Sequence, residues 1–224
     1  DNSIAIDSQG TPYVAYRDDG NGGKVTVQRF NGTNWETVGS PGFSSVAGAW
    51  GVDLALGPND APYVVFADDM GGNNIERVTV RRFDGSTWVN VGSELFSSPS
   101  AKSPTMAISS DGTPFVAYSL YDHDWHLTVR RFDGTSWELV GQSGFSQRQA
   151  GSPSIAVDSE GLPWVSYGDG YGTSDPTFRA SVKQFNGETC QYVGQSHFSV
   201  GAAKNTTVVL DASDRRQALL EQLK

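Results

Sequence analysis

The stretch Val25–Gly39, VTVQRFNGTNWETVG, decides the fold because it returns three times: VTVRRFDGSTWVNVG at Val78, LTVRRFDGTSWELVG at Leu127 and SVKQFNGETCQYVG at Ser181. Each copy opens on a period-two alternation, Val25, Val27 and Arg29 against Thr26, Gln28 and Phe30, the pattern of a half-buried strand. An Asn-Gly or Asp-Gly pair follows at Asn31, Asp84, Asp133 and Asn186, the strongest short-range signal for a hairpin. A short last strand then runs from Trp35 to Val38 and closes at Gly39.

A second repeated block lies upstream of each copy. SIAIDSQGTPYVAY at Ser3 recurs as DLALGPNDAPYVVF at Asp53, TMAISSDGTPFVAY at Thr105 and SIAVDSEGLPWVSY at Ser154. It reads as a strand over Ser3–Asp7, a Gly/Pro turn, and a second strand over Tyr13–Tyr16 rich in aromatic and β-branched residues. Phe30, Phe83, Phe132 and Phe185 are spaced by 53, 49 and 53 residues, and Phe43, Phe96, Phe145 and Phe198 by the same steps. Four short antiparallel strands per unit of about fifty residues make one propeller blade. The fold class is therefore all-β: a propeller of four blades over residues 3–52, 53–104, 105–153 and 154–206. A fifth copy begins as TVVLDASD at Thr207, which predicts one extra strand followed by a short C-terminal helix within 207–224. The whole chain of 224 residues is one domain.

The first half of each unit, as in IAVDSEGLPWVSY at Ile155, resembles an NHL blade, and RFDGTSW at Arg131 is similar to the end of a Kelch blade. The resemblance covers residues 3 to about 200 and implies the propeller architecture. It implies no ligand, because the Kelch Gly-Gly pair is absent and Tyr16, Phe66, Tyr118 and Tyr167 stand where NHL blades carry Asp.

Composition narrows the partners. A net charge of −9 disfavours nucleic acid and anionic membrane surfaces. One cysteine excludes an intrachain disulfide framework and a Cys-based zinc ribbon. No apolar run approaches the length of a membrane-spanning helix.

Residues present in every unit build the unit. Tyr13, Tyr63, Phe115 and Trp164 are equivalents expected to pack between blades; Cys190 replaces Trp35, Trp88 and Trp137 as a small core substitute rather than a nucleophile. Function is expected where units differ, in the connections between second and third strands. These carry Asp18, Asp19, Asp68, Asp69, Asp122, Asp124, Asp169 and Asp175, with Tyr121, Trp125 and Tyr171 among them. Carboxylates that accept hydroxyl hydrogen bonds beside rings that stack on sugar faces suit a glycan, and the same composition suits solvated turns. Calcium is a further reading of Asp18, Asp19, Asp68 and Asp69, although no loop has EF-hand spacing. His123 and His126, with Asp122 and Asp124, form a weak transition-metal candidate. His197 has no serine or cysteine partner in sequence, so a nucleophilic triad has no support.

One inner-strand position stands apart. Asp53 interrupts a hydroxyl series of Ser3, Thr105, Ser154 and Thr207, placing one carboxylate at the channel mouth as the weak catalytic candidate. The sequence alone favours a non-enzymatic scaffold whose variable loop face contacts a glycan or protein. The alternatives are a glycoside-active enzyme with carboxylates at the mouth, or a spacer in a larger surface array. No cofactor is expected beyond possible calcium. The apolar stripe Ala218, Leu219, Leu220 and Leu223 is expected to dock on a blade of the same chain or, as a homo-oligomer contact through the C-terminal strand and helix, on a partner chain. An extracellular or cell-surface setting is expected, in which Asn31 and Asn205 would fit glycosylation acceptors.

Overall fold

The computed structural model describes residues 2–44, 48–68, 75–97, 100–121, 124–170 and 178–211. Unit one folds as β1 Asn2–Ile6, β2 Pro12–Asp18, β3 Lys24–Phe30 and β4 Trp35–Thr37; unit two as β5 Ala49–Leu56, β6 Pro62–Asp68, β7 Arg77–Phe83 and β8 Trp88–Asn90. Unit three supplies β9 Ala101–Ile108, β10 Pro114–Leu120, β11 His126–Phe132 and β12 Trp137–Leu139; unit four β13 Gln149–Val157, β14 Pro163–Gly170, β15 Arg179–Phe185 and β16 Cys190–Tyr192. Each unit is one four-stranded antiparallel sheet in chain order, so every repeat is a propeller blade. The innermost strands β1, β5, β9 and β13 lie side by side in that order.

The hairpin between third and fourth strands is held by the residue before its glycine. Asn31 Oδ1 accepts from the N–H of Thr33 and Asn34, at 2.9 and 2.8 Å. Asp84, Asp133 and Asn186 accept the same pair of bonds in the other blades. Gly32, Gly85, Gly134 and Gly187 follow with φ between 96° and 99°, which only glycine adopts without strain. The Thr87 and Ser86 amides hold the Asp84 carboxyl below its usual 3.8, and the Ser136 and Thr135 amides do the same for Asp133. A lowered folded value means that the stabilisation is complete above the ordinary value and is lost as pH falls below it. We therefore expect a melting temperature that is flat from about pH 7 to 5 and declines below about pH 4. The double substitution Asp84→Asn, Asp133→Asn should make that acid limb shallower, the rest of it staying with Asp18, Asp60, Glu94 and Asp111, while shifting the neutral Tm by less than about 2 °C, because Asn31 and Asn186 already make the same caps.

Between blades the packing is apolar and repeated. Every residue of β6, β10 and β14 is buried, because each of these strands has both faces covered by neighbouring sheets or the chain that follows. Leu54, Val64 and Phe66 pack on Ala15, Val25 and Val27 of blade one; Met106, Val116 and Tyr118 pack on Val65, Val78 and Val80 of blade two. The tryptophan of the fourth strand crosses each seam. Trp88 Nε1 donates to the Val38 carbonyl at 2.9 Å, and its ring stacks on Phe43 with centroids 4.1 Å apart. Trp137 repeats this one blade on, donating to Val91 at 2.8 Å and stacking on Phe96 at 4.5 Å. Cys190 stands at this position in blade four, and burial pushes its thiol up to about 11, which leaves it un-ionised and poorly nucleophilic at neutral pH.

Trp35 departs from the expectation of a core position: it is 46% exposed. The reason is its place on the leading face of blade one, against which no other described blade packs. Residues 206–210 follow blade four and behave as the inner strand of a further blade. Val208 packs on Trp164 and Val182, while no described strand pairs with the segment. The expected helix within 213–224 lies outside the described residues.

Candidate functional site

Three of the inner strands, β5, β9 and β13, kink where they reach the channel mouth. The β5–β6 register slips between Trp50 and Asp53, the β13–β14 register between Gly151 and Ser154, and β9 slips at the matching place against β10. The kink residues are Gly51, Ser103, Ser152 and Asn205, all left-handed with φ of 60°, 51°, 46° and 55°. Bulges of this kind re-aim side chains, and here all four residues line one cavity of about 740 Å³. Gly51 is fixed by crowding as well as by φ, since a Cβ there would lie 2.6 Å from Pro104 Cδ. Ser103 is exposed and bears the left-handed strain with a side chain. Ser103→Gly should raise the Tm by roughly 1–3 °C, the relieved strain being partly offset by glycine's larger unfolded-state entropy. Differential scanning calorimetry checks this.

Asp53 sits on the cavity floor with both oxygens occupied. Oδ1 accepts from Ser3 Oγ at 2.7 Å and from its neighbour's Leu54 N–H at 2.9 Å. Oδ2 accepts from Thr105 Oγ1 and from Met106 N–H, both at 2.9 Å. One carboxylate thus joins the inner strands of blades one, two and three. The hydroxyls at equivalent positions do the same on a smaller scale, with Leu54 N–H donating to Ser3 Oγ at 3.1 Å and Val208 N–H to Ser154 Oγ at 3.3 Å. The hydroxyl series of the first strand is therefore a row of inter-blade staples, and Asp53 is its doubly bridging member.

One member of a column that sequence reasoning missed lines the cavity. The N–H groups of Ala49, Ala101 and Ala150 donate to the carbonyls of Gly23, Glu76 and Trp125, so these three are equivalent residues. Their side chains differ completely. Glu76, half-buried, lines the cavity and brings the second carboxylate; Trp50, half-exposed, and Lys102 line it from the neighbouring column. The Arg17 guanidinium lies 4.1 Å from the Trp50 ring, and Lys102 Nζ reaches 4.6 Å from the ring of Trp125, which does not itself line the cavity. Asn2, Asn205 and the hydroxyls of Ser3, Ser103, Thr105, Ser152, Ser154, Thr206 and Thr207 complete a polar lining. Aligning the four units on their phenylalanines would have revealed the Gly23, Glu76, Trp125 column, at the same 53- and 49-residue steps.

The loop acids are dispersed. Asp18 caps its own turn, accepting from Thr26 Oγ1 at 2.8 Å, Asn21 Nδ2 at 2.7 Å and Gly20 N–H at 3.1 Å; the Thr26 hydroxyl is the main cause holding its carboxyl below the usual value. Asp19 is exposed, 3.7 Å from Arg17. Asp68 is buried at the end of β6. Asp169 is fully buried in β14, where it accepts from Tyr192 Oη at 3.2 Å and lies 3.3 Å from His197 Nε2. Burial at this seam holds the Tyr167 phenol far above its ordinary value. Tyr121 is exposed with its ring edge-on to Trp125 at 5.1 Å. None of these lines the mouth cavity. His126 opens β11, and Asp69, Asp122, His123 and Tyr171 lie outside the described residues. Among the described residues no three His, Cys, Asp or Glu are grouped to hold a metal ion, and no helix is long and apolar enough to cross a membrane.

No protein-family model matches the chain, and neither does any curated protein. Solved structures do. The endo-arabinase of Bacteroides thetaiotaomicron aligns with a TM-score of 0.59 at 11% identity, over 96% of this chain and 86% of its own. The α-L-arabinanase of Penicillium chrysogenum, solved with arabinobiose, aligns at 0.63 and 13%, over 97% and 68%. The α-L-arabinofuranosidase of Lactobacillus brevis aligns at 0.55 and 10%, over 96% and 80%. Identities this low establish the propeller fold. They also correct the expectation of a non-enzymatic binding scaffold: these three neighbours are an endo-arabinase, an arabinanase and an arabinofuranosidase, and the enzyme alternative is the one they favour.

Proposed function

We propose that this propeller is a glycoside hydrolase whose substrate is an arabinose-containing glycan bound in the mouth cavity. The observation that supports the reading most is the pairing of Glu76 and Asp53 in one open, hydroxyl-lined cavity beside Trp50. Glycosidic bonds are cleaved with two carboxylates, one that transfers a proton and one that acts on the developing positive charge of the sugar ring. Glu76 is the proton-transfer group in this proposal, since it lines the cavity at a position that varies between blades. Asp53, held by four donors, is the fixed negative charge under the ring, positioned without reorganisation at the moment of reaction. Trp50 supplies a stacking face, and the surrounding hydroxyls and amides recognise sugar hydroxyls. The NHL-like and Kelch-like motifs describe the blade in this reading and bring no ligand of their own. An extracellular or cell-surface setting suits a polymeric substrate.

The test is release of reducing ends from linear arabinan and of p-nitrophenol from its α-L-arabinofuranoside, with xylan, galactan and mannan as competitors for the assignment. Turnover of arabinose substrates alone is expected. Turnover of another polymer in their place would reassign the sugar, and silence on every substrate would remove the enzymatic reading.

A further inference from the structure

Blade four carries a buried polar cluster, in the seam where it packs on blade three, whose side chains the other blades do not repeat. Asp169 is fully buried, and its Oδ2 lies 3.2 Å from Tyr192 Oη and 3.3 Å from His197 Nε2. The Tyr167 hydroxyl comes within reach of the same carboxylate and of the Tyr192 hydroxyl. Asp169 Oδ1, Tyr167 Oη and His197 Nε2 are buried, and among the described residues none of the three has an aligned hydrogen-bond partner. Polar atoms gathered out of water without pairing are costly until something else engages them.

The equivalent positions show what is particular to this blade. The His197 N–H donates to Ser181 Oγ at 2.9 Å, as Gly42, Leu95 and Gly144 donate to Thr26, Thr79 and Thr128. The backbone of His197 thus performs a task common to all four blades, at a left-handed φ of 54° that glycine adopts freely in blades one and three. Its imidazole is an addition to that task. Tyr192 stands where the other blades have Thr37, Asn90 and Leu139. Tyr167 matches Tyr118, whose hydroxyl accepts from Arg130 Nε at 3.0 Å. Lys183 occupies the Arg130 place and donates to the Phe145 carbonyl at 2.9 Å, so Tyr167 lacks that donor.

We infer that Asp169, His197, Tyr167 and Tyr192 form a binding site for a hard trivalent cation, Fe(III), held by one carboxylate oxygen, one imidazole nitrogen and two phenolate oxygens. Donors about 2.1 Å from one ion, at angles between octahedral and tetrahedral, stand about 3.0–3.4 Å apart. The 3.2 and 3.3 Å separations around Asp169 Oδ2 fall in that range. Three anionic oxygens balance the charge of a trivalent ion. Binding releases the two phenol protons to solvent and leaves the oxidation state unchanged. Burial disfavours an uncompensated phenolate, and a trivalent ion in direct contact compensates it more fully than a divalent one. Calcium, which takes oxygen donors, is poorly matched to the imidazole. None of the four residues lines the mouth cavity, so the site is separate from the chemistry proposed there.

The probe is ferric nitrilotriacetate added to the intact protein, with gallium(III), zinc(II) and calcium as comparison ions. The readouts are the visible tyrosinate-to-iron charge-transfer band and the Tm, neither of which depends on hydrolysis. Iron is expected to produce the band and to raise the Tm by roughly 5–10 °C at a hundredfold excess over Kd, and gallium to raise the Tm without colour. His197→Gly installs the residue that blades one and three use, so the metal-free Tm should stay within about 2 °C while iron affinity falls at least about tenfold. Tyr167→Phe and Tyr192→Phe should each weaken the band. Absence of both the band and the Tm rise with iron would overturn the inference and leave the cluster as a polar seam. A band that persists in full when both tyrosines are phenylalanine would place the iron elsewhere and overturn it as well. A Tm raised by zinc and not by iron would overturn it in favour of a divalent site.

Discussion

Glu76→Gln is expected to lower arabinan hydrolysis by about 10²- to 10⁴-fold, the usual contribution of a positioned proton-transfer group. Glutamine keeps the size and one acceptor oxygen of the side chain and cannot move a proton. The change leaves in place the backbone bond at this position, where the Glu76 carbonyl accepts from Ala101 N–H at 2.8 Å. Gly23 performs the same task for Ala49 with no side chain at all. A Tm within about 2 °C of the original is therefore expected alongside the loss of kcat. Unchanged kcat would remove Glu76 from the chemistry, and a collapsed Tm would show that the rate loss reports unfolding.

Asp53→Ala is the substitution with the largest expected effect on stability. It removes one acceptor group that serves two hydroxyls and two backbone amides from three blades. Part of the loss is recovered, since Leu54 N–H retains Ser3 Oγ and the cavity admits water to the hydroxyls. The Met106 amide loses its Asp53 acceptor. A net cost of about 3 kcal/mol is reasonable for a charged acceptor removed from partly buried donors. For a chain of this size that corresponds to a Tm lower by roughly 6–12 °C. Asp53→Ser restores the residue that blades one and four use, Ser3 and Ser154, and should recover part of the Tm without recovering activity. A Tm unchanged in Asp53→Ala would show that the staple contributes nothing. Activity recovered in Asp53→Ser would remove the carboxylate from the mechanism.

The two substitutions separate roles that the cavity mixes. Glu76 differs from its equivalents and lines the cavity. Asp53 also differs from its equivalents, yet it continues their inter-blade bonding with one more oxygen. Rate loss without Tm loss marks the first, and loss of both marks the second.

The loop acids show why acidic composition was a poor guide to the site. Asp18 and Asp169 occupy equivalent places at the ends of β2 and β14, yet one caps an exposed turn and the other is fully buried. The difference is the neighbour. Asp18 lies on blade one, whose leading face has no described blade against it, while Asp169 lies in a seam with Tyr167, Tyr192 and His197. The strand also runs further than its hydrophobic pattern suggested, from Pro163 to Gly170, which draws Asp169 out of the loop and into the sheet. Glu76 was overlooked for the converse reason. It sits beside a strand start in an ordinary polar context, and only the folded chain brings it into the lining of the same cavity as Asp53.

The sequence by itself determined the blade. Period-two alternation, the Asn-Gly and Asp-Gly hairpins and the fifty-residue recurrence are local signals, and local hydrogen bonding within each unit realises them without reference to the rest of the chain. It also marked Asp53 as the exception in its column, because a column of equivalents makes any departure visible. Only the tertiary structure decided what the departures do. Whether a carboxylate staples blades, caps a turn, lies buried in a seam or opens into a cavity depends on which groups the neighbouring blade brings within about 3 Å of it. Those neighbours are some fifty residues away in the chain, as Ser3 and Thr105 are from Asp53, and no local pattern records them.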